Sequence, residues 1–307
     1  MKHLLSLHDW TSKDIETALE LAAKLKKEQK AGIPHPLLAG KTLGMIFSKS
    51  STRTRVSFEV GMYQLGGHAL FLSSNDIQLG RGETIHDTAK VLSRYVDGIM
   101  IRTYKQEDVE ALAEFGSIPI INGLTDLLHP CQVLADLLTI KEHFGSLKGK
   151  KLAYVGDGNN MAHSLLYGCV KCGMDVAVAT PKAYACDATV VANAIEDAKE
   201  MGVSVLITED PKEAVKNADV IYTDTWVSMG QEDQKEEKVK LFAPYQVNEE
   251  LMAQANDGAI FLHCLPAYRG MEVTEGVIDG PQSLIFDEAE NRLHAQKAVM
   301  VMTMGQK

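Results

Sequence analysis

Long apolar runs are missing from this 307-residue chain; the longest, such as Ala298 to Met302, fall far short of the ~20 residues needed to cross a bilayer. No membrane partner is expected. Basic residues are outnumbered, 31 against 41 acidic, so the net charge of −10 repels polyanions and makes nucleic acid a poor partner. A small anion could be held only by a local cluster of donors. Cysteine is sparse: the five residues at 131, 169, 172, 186 and 264 lack regular spacing, as for reduced thiols in a cytoplasmic protein. The first ten residues carry His3, His8 and Asp9 among leucines and show no apolar core or cleavage site of a secretory leader. Internal repeats and low-complexity tracts are absent, and the 24 Gly and 9 Pro are scattered between periodic segments. What remains is a globular chain with length for roughly two domains of ~150 residues.

What is present is alternation. Thr11 and Asp14 form a capping-box pattern ahead of Ile15, Ala18, Leu19, Ala22 and Leu25, which predicts an amphipathic helix over 11–30. Short apolar runs at 43–47, 69–72, 98–102 and 118–121 then read as buried strands, separated by helices at 52–65, 84–95 and 106–115. A second series follows 145–151, with strands at 152–155, 175–179, 204–208, 219–223 and 260–262 and helices at 161–171, 187–200, 211–217 and 248–255. The fold class expected is α/β, two doubly wound parallel-sheet domains linked by helices, one of them at 131–144. The expected domains are 1–145 and 146–287, with the helical segment 288–307 packing back on the first. Residues 231–240, a run of ten dominated by Glu, Lys, Gln and Asp, read as a solvated helix face.

The most informative stretch is Ser48-Lys49-Ser50-Ser51-Thr52-Arg53-Thr54-Arg55, which follows a strand and opens a helix. Unpaired backbone N–H groups and the positive end of the helix dipole meet there, and hydroxyls with two arginines, Arg53 and Arg55, add donors, so the stretch reads as a phosphate cradle. It lacks the Gly-x-x-x-x-Gly-Lys pattern of a nucleoside triphosphate loop. Gly156-Asp157-Gly158-Asn159-Asn160 also joins a strand to a helix, but Met161 stands where a dinucleotide fingerprint has its third glycine. Cys169 and Cys172 have no second metal-ligand pair and fall mid-helix, and no His-Glu-x-x-His occurs, so neither a metal nor another cofactor is implied.

Ser51-Thr52-Arg53-Thr54-Arg55, His129-Pro130-Cys131-Gln132, Asp224-Thr225-Trp226-Val227-Ser228-Met229-Gly230 and His263-Cys264-Leu265-Pro266 occur in the order found in the carbamoyltransferases. The chain resembles that family over nearly its whole length, and within it the ornithine branch. The resemblance implies that Ser51, Thr52, Arg53 and Thr54, joined by Arg102, hold the phosphate of carbamoyl phosphate, that His129 and Gln132 contact its carbamoyl group, that Arg292 is a further carbamoyl phosphate contact, and that Gln78 reaches a neighbouring subunit's site in a trimer. Arg102 and His129 would donate to the carbonyl oxygen as charge builds there. Asn160, Asp224, Ser228 and Met229 would bind L-ornithine, Asp224 at the α-ammonium group. Cys264 would lie near the δ-nitrogen as a positioning group, not a nucleophile, and the carbonyls of Cys264 and Leu265 would receive the carbamoyl NH₂. A sharp turn exposing those carbonyls suggests a cis bond before Pro266. The aspartate branch shares the cradle but carries Lys and Ser in the loop where this chain has Gln78 to Glu83, and Pro-Leu-Pro in place of Cys264-Leu265-Pro266. A carbamoyltransferase for putrescine or acylated ornithine, and a non-catalytic anion-binding protein, remain the alternatives.

Overall fold

The computed structural model describes residues 3–227 and 235–305. Ser228, Met229 and the first part of the 231–240 run lie outside them. The chain groups into two compact units, Met1–Leu138 with Glu290–Lys307, and Thr139–Ala289. Both divisions fall inside continuous helices.

In the first unit, α1 (Ser12–Lys30) starts at the expected capping box: the Thr11 hydroxyl accepts from the Asp14 N–H and the Asp14 carboxylate from the Thr11 N–H. There follow β1 (Thr42–Phe47), α2 (Thr52–Gln64), β2 (His68–Ser73), α3 (Ile85–Leu92), β3 (Gly98–Arg102), α4 (Gln106–Phe115), β4 (Ile120–Leu124) and α5 (Pro130–Phe144). The strands are parallel in the order β2-β1-β3-β4. Ile46, Ile99, Ile101 and Ile120 from the sheet pack with Ala89, Val109 and Leu112 from the helices.

The second unit carries β5 (Lys151–Val155), α6 (Asn160–Lys171), β6 (Asp175–Ala179), α7 (Ala188–Met201), β7 (Val205–Thr208), α8 (Pro211–Val215), β8 (Val220–Tyr222), α9 (Lys235–Phe242), α10 (Glu249–Met252), β9 (Ile260–Leu262) and α11 (Glu275–Ile278). Its parallel sheet has the order β7-β6-β5-β8-β9. In each sheet the winding reverses beside the first strand, between β1 and β3 and between β5 and β8. Chains leaving such neighbours turn to opposite faces and open a crevice at the strands' carboxyl ends, the usual place for a ligand in an open α/β sheet.

Three sequence expectations need correction. β2 is half-exposed, not buried, because it is the outer strand with one neighbour. β4 starts at Ile120, past Pro119, which has no N–H for a ladder. In the charged run, Lys238 is fully buried, since it finds an ionic partner in Asp157. Cys169 packs in the core as expected.

The last helix, α12 (Ile285–Met304), packs in the first unit against α2. A Cβ on Gly61 would lie 2.8 Å from the Met300 methyl, so a larger residue there would have to displace that side chain. Lys297 is carried inward with it, donating to Gln64 Oε1 (2.8 Å) and lying 3.1 Å from His35 Nε2. Burial lowers the Lys297 ammonium from 10.5 to about 8. Below that value the folded protein carries a costly buried charge; between about 8 and 10.5 it has released a proton that the unfolded chain still binds, so stability rises with pH. The expected outcome is a gain on the order of 3 kcal/mol across that window that is absent in Lys297→Met. Urea titrations of both proteins from pH 7.5 to 10.5 measure it, and parallel curves would refute it.

Candidate active site

The Ser48–Ser51 turn leaves β1 at the crevice of the first sheet. Ser51 caps α2, its hydroxyl accepting from the Thr54 N–H at 3.2 Å and lying 3.1 Å from the Thr54 hydroxyl. Arg102 ends the adjacent β3, where its carbonyl accepts from the Ser48 N–H (2.8 Å), and its side chain is buried. Arg292 reaches in from α12: Nη1 donates to Gln132 Oε1 at 2.7 Å, and Nη2 lies 3.4 Å from Thr54 Oγ1. Gln132 in turn donates to Asp136 (2.8 Å). His129, just ahead of α5, is buried; that burial, and then the charges of Arg292, Arg102 and Arg53, hold its imidazole well below the ordinary 6.5. The imidazole is therefore neutral at physiological pH, a hydrogen-bond donor beside three guanidinium groups that carry the charge.

Ser51, Arg53, Thr54, Arg102, His129, Gln132 and Arg292 thus belong to one cluster, while Thr52 is exposed in the first turn of α2. Two other members of the cradle sequence do not aim into it. Arg55 pairs with Glu59 (2.9 Å) and stacks its guanidinium 3.7 Å from the Phe71 ring centre, because two residues along a helix face nearly opposite sides. Lys49 pairs with Asp126 and lies over the Tyr104 ring. Gln78 is not brought in either; it is exposed at the start of the 3-10 turn Gln78–Arg81.

At the crevice of the second sheet the polarity inverts. Asn159 caps α6, its Oδ1 accepting from the N–H groups of Met161 (2.9 Å) and Ala162 (3.3 Å), and its amide donates to Asp224 Oδ2 at 2.8 Å. Asp224, just past β8, accepts on Oδ1 from its neighbour's Thr225 N–H (2.7 Å) and from the Cys264 thiol (3.2 Å). Asn160 is the first residue of α6 and half-buried. Past β9, Leu265 has φ 58° and its bond to Pro266 is cis. His263 supports this turn: Nδ1 accepts the Leu265 N–H (2.9 Å), which leaves Nε2 to donate to Glu272 (3.2 Å), while the His263 N–H donates to Glu288 (2.9 Å).

Asp224, His263 and Cys264 also form a group of three whose ligand atoms lie within 4.8 Å of one another. The hydrogen bonds just described account for this proximity: both ring nitrogens of His263 are engaged, and the thiol and carboxylate bond to each other.

Family models match the chain in two parts. Residues 2–142 fit the carbamoyl-P binding domain of aspartate/ornithine carbamoyltransferase, and residues 148–303 fit the Asp/Orn binding domain. The chain belongs to the aspartate/ornithine carbamoyltransferase family. It is 62% identical over 301 residues to an ornithine carbamoyltransferase of Caldicellulosiruptor saccharolyticus, covering 98% of each chain. The structure of the ornithine carbamoyltransferase from Pyrococcus furiosus superposes with a TM-score of 0.97 at 57% identity, covering 100% of this chain and 98% of that one. The anabolic ornithine carbamoyltransferase of Campylobacter jejuni gives 0.93 at 44% identity, with 100% of both chains covered.

Within this carbamoyltransferase, sequence reasoning overlooked Asn159 as the residue that orients Asp224, and His263 as the support of the Cys264–Leu265 turn. Asn159 had a readable signal, since an Asn between a strand and an apolar helix is a preferred cap. His263 had none, because Glu272 and Glu288 come from separate segments. The depressed His129 predicts an imidazole NMR titration displaced to the acid side of an ordinary histidine. A His129 titration centred near 6.5 would show that neither burial nor the arginines act on it.

Proposed function

We propose that this carbamoyltransferase moves the carbamoyl group of carbamoyl phosphate to the δ-amine of L-ornithine, giving L-citrulline and phosphate for arginine biosynthesis. The observation that carries the reading is the Asn159–Asp224–Cys264 chain of hydrogen bonds beside the His263-Cys264-Leu265-Pro266 turn, in a chain 62% identical to an ornithine carbamoyltransferase. Ser51, Thr52, Arg53 and Thr54 take the phosphate through hydroxyls, guanidinium and the positive end of the α2 dipole. Arg292 reinforces them, and Gln132 serves the carbamoyl end. Arg102 and neutral His129 stabilise the oxyanion without moving a proton.

Asp224 takes the α-ammonium group and Asn160, with Ser228 and Met229, completes the amino-acid contacts. Cys264 steers the δ-nitrogen, and the carbonyls of Cys264 and Leu265 accept from the carbamoyl NH₂. The nitrogen lone pair attacks the carbonyl carbon, the C–O bond to phosphate breaks, and the departing phosphate carries off the amine's proton. Only the free base can attack, and an amine of pKa ~10.4 is almost wholly protonated at neutral pH.

We further propose a homotrimer in which Gln78 serves a neighbouring subunit; the outer strand β2, with Leu70 and Phe71 exposed, is an edge that such an assembly would cover. A cytoplasmic location is in keeping with the lack of any membrane-crossing helix among the described residues.

Purified protein should form citrulline with ornithine, and not carbamoylate aspartate or putrescine at comparable rates. Turnover at subsaturating ornithine should climb close to tenfold per pH unit from about pH 7 to 9. Arg53→Ala should lower kcat/KM by roughly 10²–10³. A wild type that makes no citrulline would falsify the reading in favour of an anion-binding protein, and preference for another amine would move it to another branch.

A further inference from the structure

Lys238 belongs to the most strongly charged stretch of the sequence, yet its side chain is 1% exposed. Its ammonium donates to Asp157 Oδ2 at 2.6 Å and lies 4.6 Å from the centre of the Tyr184 ring and 5.9 Å from that of Phe242. Such a pair adds little net stability over apolar residues of the same shape, because desolvation offsets the attraction; what it supplies is a fixed geometry.

The connections around Asp157 show what is fixed. Asp157 lies in the β5–α6 turn, two residues before Asn159, and its carbonyl accepts the Asn159 N–H at 2.7 Å. Gly158 between them donates to the Tyr184 carbonyl (2.9 Å). A Cβ there would stand 2.4 Å from that oxygen, so the turn is pressed against the segment whose ring covers the Lys238 ammonium. Asn159 then holds Asp224. Burial raises the Asp157 carboxyl from its ordinary value, Lys238 opposes the rise, and the charge of Asp224 adds to it. Asn159 thus links the two acidic residues, its N–H on the Asp157 carbonyl and its amide on Asp224, and Lys238 pairs with the carboxylate not assigned to substrate.

We propose that Lys238 is a positioning residue for ornithine: its pair with Asp157 sets the β5–α6 turn, and with it the Asn159 amide that orients the Asp224 carboxylate. The proposal rests on the assignment of Asp224 to the α-ammonium group made above.

Steady-state kinetics with each substrate varied, together with thermal unfolding, test it on wild type, Lys238→Arg, Lys238→Met and the double variant Asp157→Asn/Lys238→Met. In Lys238→Met the ornithine KM should rise about tenfold or more while the carbamoyl phosphate KM stays within about twofold. Lys238→Arg should keep the ornithine KM within about threefold of wild type. The double variant, with no orphaned charge, should recover the stability lost in Lys238→Met but not the ornithine KM. Equal effects on both substrates, or recovery of ornithine KM together with stability, overturns the proposal. Failure of both Met-containing variants to fold also overturns it, since the pair would then serve the whole unit. An inactive wild type refutes the ornithine reading itself, whereas an active wild type with an unselective Lys238→Met refutes the positioning role alone.

Discussion

Arg292 ties together three stretches of chain that are far apart in sequence: its own helix α12, Gln132 on α5 and Thr54 on α2. A buried guanidinium has five N–H groups to satisfy, and leaving them unmet in a region shielded from water is costly. The neighbouring side chains are fixed as a result. Thr54 bonds to the cap Ser51, Gln132 is held from behind by Asp136, and the charge of Arg292 joins burial in keeping His129 neutral. The donors of the cradle are therefore held by one another, and donors fixed in place stabilise developing charge without reorganising.

Both units use the same geometric device to opposite electrical ends. Each places a strand-to-helix turn where its sheet changes direction. On α2 the capping serine is small and the surrounding side chains are cationic, so the helix end stays receptive to an anion. On α6 the donors of Met161 and Ala162 are taken by Asn159, whose amide turns to a carboxylate. Both helix ends carry a capping side chain, but the groups around the first are cationic and suit an anion, whereas the second faces Asp224 and suits a cation.

Legibility in the sequence followed the range of the interaction. The capping box of α1, the limits of α4 and β6, and the succession of parallel strands depend on residues a few positions apart, and periodicity exposed them. Asn159 was half-legible: its capping role is local, but its grip on Asp224 spans 65 positions. Arg55 and Lys238 were misread because charge suggests a ligand or a solvated face until the partner is known. For Arg55 the partners are Glu59 and Phe71; for Lys238 they are Asp157 and two aromatic rings.

Composition and pattern were enough by themselves to determine an acidic α/β protein of two parallel-sheet units, and four short motifs were enough to point at its chemistry, because helix signals, strand runs and capping residues act through neighbours in the chain. Only the tertiary structure decided which groups in those motifs face one another, which histidine stays neutral and which lysine is sealed inside. Those outcomes depend on burial and on partners as many as 262 residues away, and desolvation and charge pairing exist only once the chain has closed upon itself.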